Sequence, residues 1–416
     1  MPSKIVSAQD RSVPRAALKS GDTRRDGRGR IQGMPPILHY GFRPFFFVAA
    51  LYAGVAIPVW LCAYFGGFGF AGPFDGLRWH AHEMLFGYLG AVVAGFILTA
   101  IPNWTGRLPL SGGRLAVLVG LWLAGRIACI AIPSPTVAAV VDLSFPAMLA
   151  FAIWREVVAG RNWKNAPVAA IITLLGVANL LDHLANLELA PHDLGQRLAL
   201  GVAAMLIALI GGRIIPSFTR NWLVKNGVQR LPAPFGAPDK AALAATALAM
   251  VGWLTFPGAA ATGLVLCTAG FLLPVRLVRW RAGATVSEPI LLILHVGYGW
   301  LALALTLLGL AMLVPDISDS AALHALTAGA IGTMTLAVMT LASLGHTGRA
   351  IKADGFMVVM YAMVTTGAAL RVAAPFLDDG YSYLLSAGGA LWSGAFLLFA
   401  IRFAPILWGR RVGVDS

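Results

Sequence analysis

The chain has 416 residues, of which 58% are hydrophobic and only 12% charged, with a formal net charge of +13. Soluble domains carry about 25% charged residues, so the composition excludes an ordinary globular protein and points to the lipid bilayer. The positive charge is spread over tails and connections rather than gathered in one face, which argues against nucleic acid as a partner.

Residues 1–36 are basic and rich in Ser, Gly and Arg, with no apolar stretch. They are neither a signal peptide nor a span, and they predict a disordered cytoplasmic tail. From residue 37 onward, apolar runs of about 20 residues recur between polar or Pro/Gly breaks. That is the length needed to cross hydrocarbon with every backbone group bonded inside the helix. The runs predict spans near 44–66, 78–101, 115–132, 136–158, 167–187 and 195–217, then 239–256, 259–275, 288–314, 321–345, 354–376 and 381–402. The expectation is an all-α polytopic membrane protein: one domain, 37–416, of about twelve transmembrane helices.

Lys and Arg concentrate in the tails and in alternate connections, while Asp75, Asp193, Asp316, Asp319, Asp378 and Asp379 collect in the others. Because basic loops stay in the cytoplasm, both termini are predicted inside. Cys62, Cys129 and Cys267 each fall in a span without CxxC spacing, and read as small apolar core residues.

The chain repeats internally. A shift of 242 positions lays the second span on the tenth and superposes His82 on His324, Gly87 on Gly329, Gly90 on Gly332, and Thr105-Gly106-Arg107 on Thr347-Gly348-Arg349. The sixth span fits less well, sharing Gly201, Ile215-Pro216 and Thr219. Spans one, five and nine each start at a proline, Pro44, Pro167 and Pro289, where a first-turn residue loses nothing by lacking an N–H. The pattern predicts three blocks of four helices, about 44–158, 167–275 and 288–402, with the second helix of each facing a common centre.

His80 and His82 open span two, His324 opens span ten, and His183, beside Asp182, ends span five. All four are therefore predicted near the outer face. Histidine at membrane depth is costly unless neutral and bonded, so several at one level suggest a shared ligand. His82 and His324, related by the repeat, would offer two opposed imidazoles, the arrangement of a six-coordinate haem. Gly87, Gly90, Gly329 and Gly332 would leave room for a flat macrocycle, or else simply allow close helix packing. His80 lies about 200° around the helix from His82, so it would serve a different, second metal, with Glu83 as acceptor or proton carrier.

Toward the inner face, His39, His295 and His346 would form a ring suited to copper. Arg213 reads as a buried cation in need of an anion: a haem propionate, a quinone oxygen or a carboxylate. Arg126 and Asp142 flank the Ile132-Pro133-Ser134-Pro135 turn at comparable depth and read as a structural pair.

Several motifs together carry a family resemblance: GFRPFF from Gly41 to Phe46, WHAHEM from Trp79 to Met84, AIPNWTGR from Ala100 to Arg107, GGRIIPSFTRNW from Gly211 to Trp222, and the stretch from His324 to Arg349. In these the chain resembles NnrS proteins. The resemblance implies a bacterial inner-membrane protein with haem b and copper, associated with denitrification and defence against nitric oxide.

Three blocks of four helices are also the plan of the catalytic subunit of haem–copper oxidases, an architectural analogy only. Those enzymes place copper ligands on spans six and seven, where this chain has no histidine. The leading expectation is therefore a redox protein. His82, His324 and Arg213 would hold haem, and His80, His183, His295 and His346 would be available to a metal. Nitric oxide would be ligand or substrate, a quinol or another donor would supply electrons, and Glu83 and Asp182 are candidates for proton transfer. Two other classes stand beside it: a transporter of a small solute or metal complex, which should show polar breaks at mid-depth, and a nitric oxide sensor, which should offer an output surface.

Overall fold

In the computed structural model, residues 33–105 and 107–413 are described. Almost all of the predicted basic tail lies outside them. Twelve long helices follow one another, none separated by a strand among the described residues. They are α1 (Phe42–Tyr64), α2, α3 (Gly113–Ala131), α4 (Pro135–Ala159), α5 (Ala166–Asn186), α6, α7 (Ala237–Thr255), α8 (Ala260–Arg279), α9 (Pro289–Ala311), α10, α11 (Gly355–Ala373) and α12 (Tyr381–Trp408).

Three of these are compound. α2 joins Gly76–His82 to Gly90–Thr105 through a π-helical segment, Glu83–Leu89; α6 joins Leu194–Leu206 to Gly212–Lys225 through Ile207–Gly211; α10 joins Asp319–His324 to Gly332–His346 through Ala325–Ile331. A π turn inserts a residue, frees carbonyls from the regular ladder and turns the faces below it. The three helices that the internal repeat aligns are the three that carry one.

Among the described residues, eleven helices are long and apolar enough to cross a membrane. The twelfth, α7, falls short of that measure because its first turn carries Asp239 and Lys240, a correction to the twelve expected spans. Asp239 is not wasted on water: it is buried and accepts from Arg276 Nε on α8 at 3.1 Å.

Within the described chain, α2 and α10 are the most buried helices, with 78% of their apolar windows inside, followed by α6 and α9 at 61%. The other qualifying helices reach only 33–44%, and large apolar residues such as Val140, Phe151, Phe271 and Val278 stand exposed on them. Such faces suit lipid, which supplies no hydrogen-bond partner but welcomes apolar surface.

Local chemistry sets the helix ends. The Asp75 carboxylate accepts from the Leu77 and Arg78 amides, both at 2.9 Å, and starts α2. At the far end of the bundle, buried Arg43 donates through Nη1 to the carbonyls of Leu407 and Gly409, at 2.8 and 2.7 Å, satisfying the last turn of α12.

Asp354 caps α11. It accepts from the Met357 amide at 3.0 Å and from Arg402 Nε and Nη2 at 3.1 and 2.7 Å. Burial pushes this carboxyl up, but the Met357 amide and the Arg402 guanidinium outweigh it and hold the group below the usual carboxylate range. A depressed carboxylate contributes stability above its unfolded pKa, and the contribution is lost as pH falls through the folded value. Acidification from about pH 5 to about pH 2 should therefore lower the hydrogen-exchange protection of the Met357 amide relative to mid-helix amides. In Asp354→Asn that acid-dependent loss should be absent.

The glycines expected to leave room for a macrocycle instead seat side chains. A Cβ on Gly329 would lie 2.6 Å from the Trp300 ring, one on Gly332 2.6 Å from Trp392 Nε1, and one on Gly87 2.7 Å from Arg126 Nη1. At Gly90 the nearest group is Phe145, at 3.9 Å. Close packing explains Gly87, Gly329 and Gly332, whereas Gly90 has room for a Cβ.

Candidate metal centres

With Asp75 fixing its start, the first two turns of α2 present Trp79, His80 and His82 in different directions. Trp79 is buried and stacks on Phe70, with centroids 4.3 Å apart. His80 stacks on Trp60 of α1, with centroids 4.2 Å apart, and faces His324 of α10. The two imidazoles have centroids 6.4 Å apart and planes only 8° from parallel. His324 Nδ1 donates to the Ser320 carbonyl at 2.7 Å. A carbonyl can only accept, so this bond puts the proton on Nδ1 and leaves Nε2 with its lone pair.

His82 points the other way, fully buried, with Phe74 stacked on its ring at 4.5 Å. Its Nδ1 donates to Asp182 Oδ2 at 2.7 Å, while its Nε2 lies 3.3 Å from Asp142 Oδ2 and 3.7 Å from Cys129 Sγ. His183 Nε2 reaches the same Asp142 oxygen at 3.0 Å. One ligand atom from each of His82, Cys129, Asp142 and His183 lies within 4.8 Å of all the others, and all four residues are buried. Among the described residues this is the one such cluster of three or more donors.

The surroundings hold the cluster in place. Arg126 Nη1 donates to Glu83 Oε2 at 2.6 Å, and its Nη2 donates to Asp142 Oδ1. The Tyr52 hydroxyl donates to Glu83 Oε2, Asn179 Nδ2 to Asp142 Oδ2 at 2.8 Å, and Gln196 Nε2 to Asp182 Oδ1 at 3.2 Å. Glu83 Oε1 has no hydrogen-bond partner. Glycines let these elements close in: a Cβ at Gly125 would lie 3.1 Å from the Asp142 Cα, and one at Gly195 2.6 Å from the Asp182 amide.

Charge is the telling feature. Three carboxylates, Glu83, Asp142 and Asp182, are buried around a single guanidinium, Arg126. His82 Nδ1 donates to Asp182 while its Nε2 faces a carboxylate oxygen and a sulfur, a position for a second proton shared with Asp142 or, in the neutral ring, for a lone pair on a cation. Converging lone pairs with excess negative charge, at membrane depth, call for a bound cation or a shared proton.

The residues singled out from sequence thus divide differently from the expectation. His324 meets His80 rather than His82, so the imidazole pair is shifted by two residues. His82 instead joins His183 and Asp182, and Glu83 lies beside them. At the other end of the bundle the expected copper ring is not assembled: His295 Nδ1 donates to the Leu291 carbonyl at 3.0 Å, its Nε2 making no hydrogen bond, and exposed His346 leans on the Phe42 ring.

Arg213 is exposed rather than buried. The buried cation of that region is Arg276, which fills the space opened by Gly212 and donates to Asp239, the Ala208 carbonyl and the Tyr298 hydroxyl. The paired Arg126 and Asp142 do meet, but as part of the cluster. Cys129, read as a core residue, was missed; its signal was a place near the end of α3, at the level of Asp142 across the Ile132–Pro135 turn.

A family model described as NnrS protein matches residues 36–411. None of the curated proteins matches the chain.

Proposed function

This chain belongs to the NnrS family, membrane proteins linked to the nitric oxide response, and from that membership we propose a haem- and copper-binding redox protein that reduces or scavenges nitric oxide. Haem b is assigned to His80 and His324, and copper to His82, Cys129, Asp142 and His183. The location proposed is the bacterial inner membrane, with the termini cytoplasmic and both centres toward the periplasmic face. The twelve-helix, three-block plan, which the recurring π segments support, belongs to the same reading.

The observation that carries it is that two histidines two residues apart on α2 meet different partners: His80 faces His324, while His82 joins Cys129, Asp142 and His183. His80 and His324, with ring centroids 6.4 Å apart and planes 8° from parallel, are the residues that would hold haem. The Nδ1 bond of His324 to a backbone carbonyl is the outer support that metal-bound histidines usually have. At the second centre, two imidazoles, a thiol and a carboxylate form a mixed N, S, O set of the kind that holds copper or zinc, and the surplus carboxylates favour a cation.

Bound haem and copper would supply d-electrons that engage the unpaired electron of nitric oxide and exchange one electron at a time. The chain's own groups do the rest. Asp182 fixes the His82 tautomer and ring orientation. Trp60 and Phe74 each cover one imidazole face. Glu83, bonded to Tyr52 and Arg126, holds a carboxylate oxygen unpartnered, a place for a proton needed in a reductive reaction. Electrons would come from quinol or another donor.

The full chain purified in detergent should show a Soret band of low-spin, bis-imidazole haem and bound copper. His80→Ala and His324→Ala should each abolish the six-coordinate spectrum, while His82→Ala should keep it and lose copper. No Soret band at all, or haem that depends on His82 and not on His80, would overturn the assignment.

A further inference from the structure

Arg371, half-buried in the last turn of α11, has no carboxylate partner among the described residues. Buried Arg126 and Arg276, by contrast, each ion-pair with carboxylates. Arg371 Nη2 donates to Ser320 Oγ at 2.8 Å, and its Nη1 is buried without a hydrogen-bond partner. Ser320 is the residue whose carbonyl accepts from His324 Nδ1, so one residue ties the guanidinium to the imidazole. The charge also lies within electrostatic reach of both His80 and His324. Trp60, which stacks on His80, also lines a cavity of about 230 Å³ with Tyr64, Phe68, Phe70 and Leu77, and Tyr64 and Tyr381 are electrostatic neighbours of Arg371.

A guanidinium nitrogen buried without a partner is stabilised by an anion, and a planar fork of donors suits a carboxylate or an oxyanion. We propose that Arg371 is the anion receptor of the His80–His324 site and binds a carboxylate or a small oxyanion there. Two sources share that chemistry: a propionate of the porphyrin, which rests on the haem reading above, and a free anion, which does not.

The test uses haem-free full-length protein in detergent. Protohaem and its dimethyl ester, which lacks free carboxylates, are titrated into the wild type, Arg371→Gln and Arg371→Lys, and dissociation constants are read from the Soret band. Nitrite is titrated into the same haem-free proteins by calorimetry. A charge-assisted hydrogen bond predicts that the wild type binds the diacid about 10- to 100-fold more tightly than the diester. The ratio should fall to near one in Arg371→Gln and be largely kept in Arg371→Lys. That result identifies the propionate as the ligand.

Saturable nitrite binding lost in Arg371→Gln, with no diacid preference, identifies a free oxyanion. The wild type's diacid-to-diester ratio does not depend on whether a variant folds. A ratio near one in the wild type, with no Arg371-dependent nitrite binding, overturns the proposal. Failure of the wild type to take up either haem, with Arg371-dependent nitrite binding intact, removes the haem reading and leaves the anion receptor standing.

Discussion

Arg126→Met is expected to destabilise the protein by about 3–5 kcal/mol, the cost of removing one partner from a buried ion pair. Arg126 is the single guanidinium among three buried carboxylates, with only 4% of its side chain exposed. Methionine fills a similar volume, so the loss is chiefly electrostatic: Glu83 and Asp142 would each lose their guanidinium partner while buried away from water. Unfolding by a denaturing detergent, followed by far-ultraviolet circular dichroism, measures it. Adding Glu83→Gln should restore more than about 1 kcal/mol, because it removes one of the two stranded charges. A single variant within about 1 kcal/mol of wild type would mean that the carboxylates are already neutralised in some other way.

Cys129→Ser and His183→Ala are each expected to weaken copper binding by more than about 100-fold, since even outer-sphere changes commonly cost about 10- to 100-fold. Asp182→Asn, which alters only the group orienting His82, should fall within that smaller range. The pH dependence has a definite sign. Copper bound as proposed would displace the thiol proton of Cys129 and require neutral imidazoles, so affinity should fall as pH is lowered and protons should be released on loading. Competition against a chelator of known affinity, repeated at several pH values, gives both quantities. Affinity that is unchanged in Cys129→Ser and independent of pH would place the metal elsewhere.

Much of this site was legible in one dimension, in a particular sense. At about 100° per residue, His80 and His82 must leave α2 on opposite sides, and the sequence reading already assigned them to different centres. Asp182 and His183 stood out beside one another near the end of a span. Their partners did not. His82 and Asp182 are 100 residues apart, and the choice between His80 and His82 as the mate of His324 turns on the rotation of α2 against α10. The repeat favoured His82, because superposing two sequences aligns positions without saying which way their side chains face across an interface. Arg213 misled for a related reason: its two preceding glycines do open a space, but Arg276 enters it from α8.

By itself the sequence determined the all-helical membrane class and all but one of the spans, because in lipid each helix must satisfy its own backbone and so needs its own long apolar run. It also marked the three helices that lie deepest or nearly so, through shared glycines and polar positions. Only the tertiary structure decided that Cys129, Asp142 and His183 surround His82, that α7 carries a buried acid in its first turn, and that Arg371 has no carboxylate partner among the described residues. Those facts depend on side-chain packing among α2, α3, α4, α5, α10 and α11, where a fraction of a turn in one helix exchanges one donor set for another, and no local pattern of hydrophobicity records that angle.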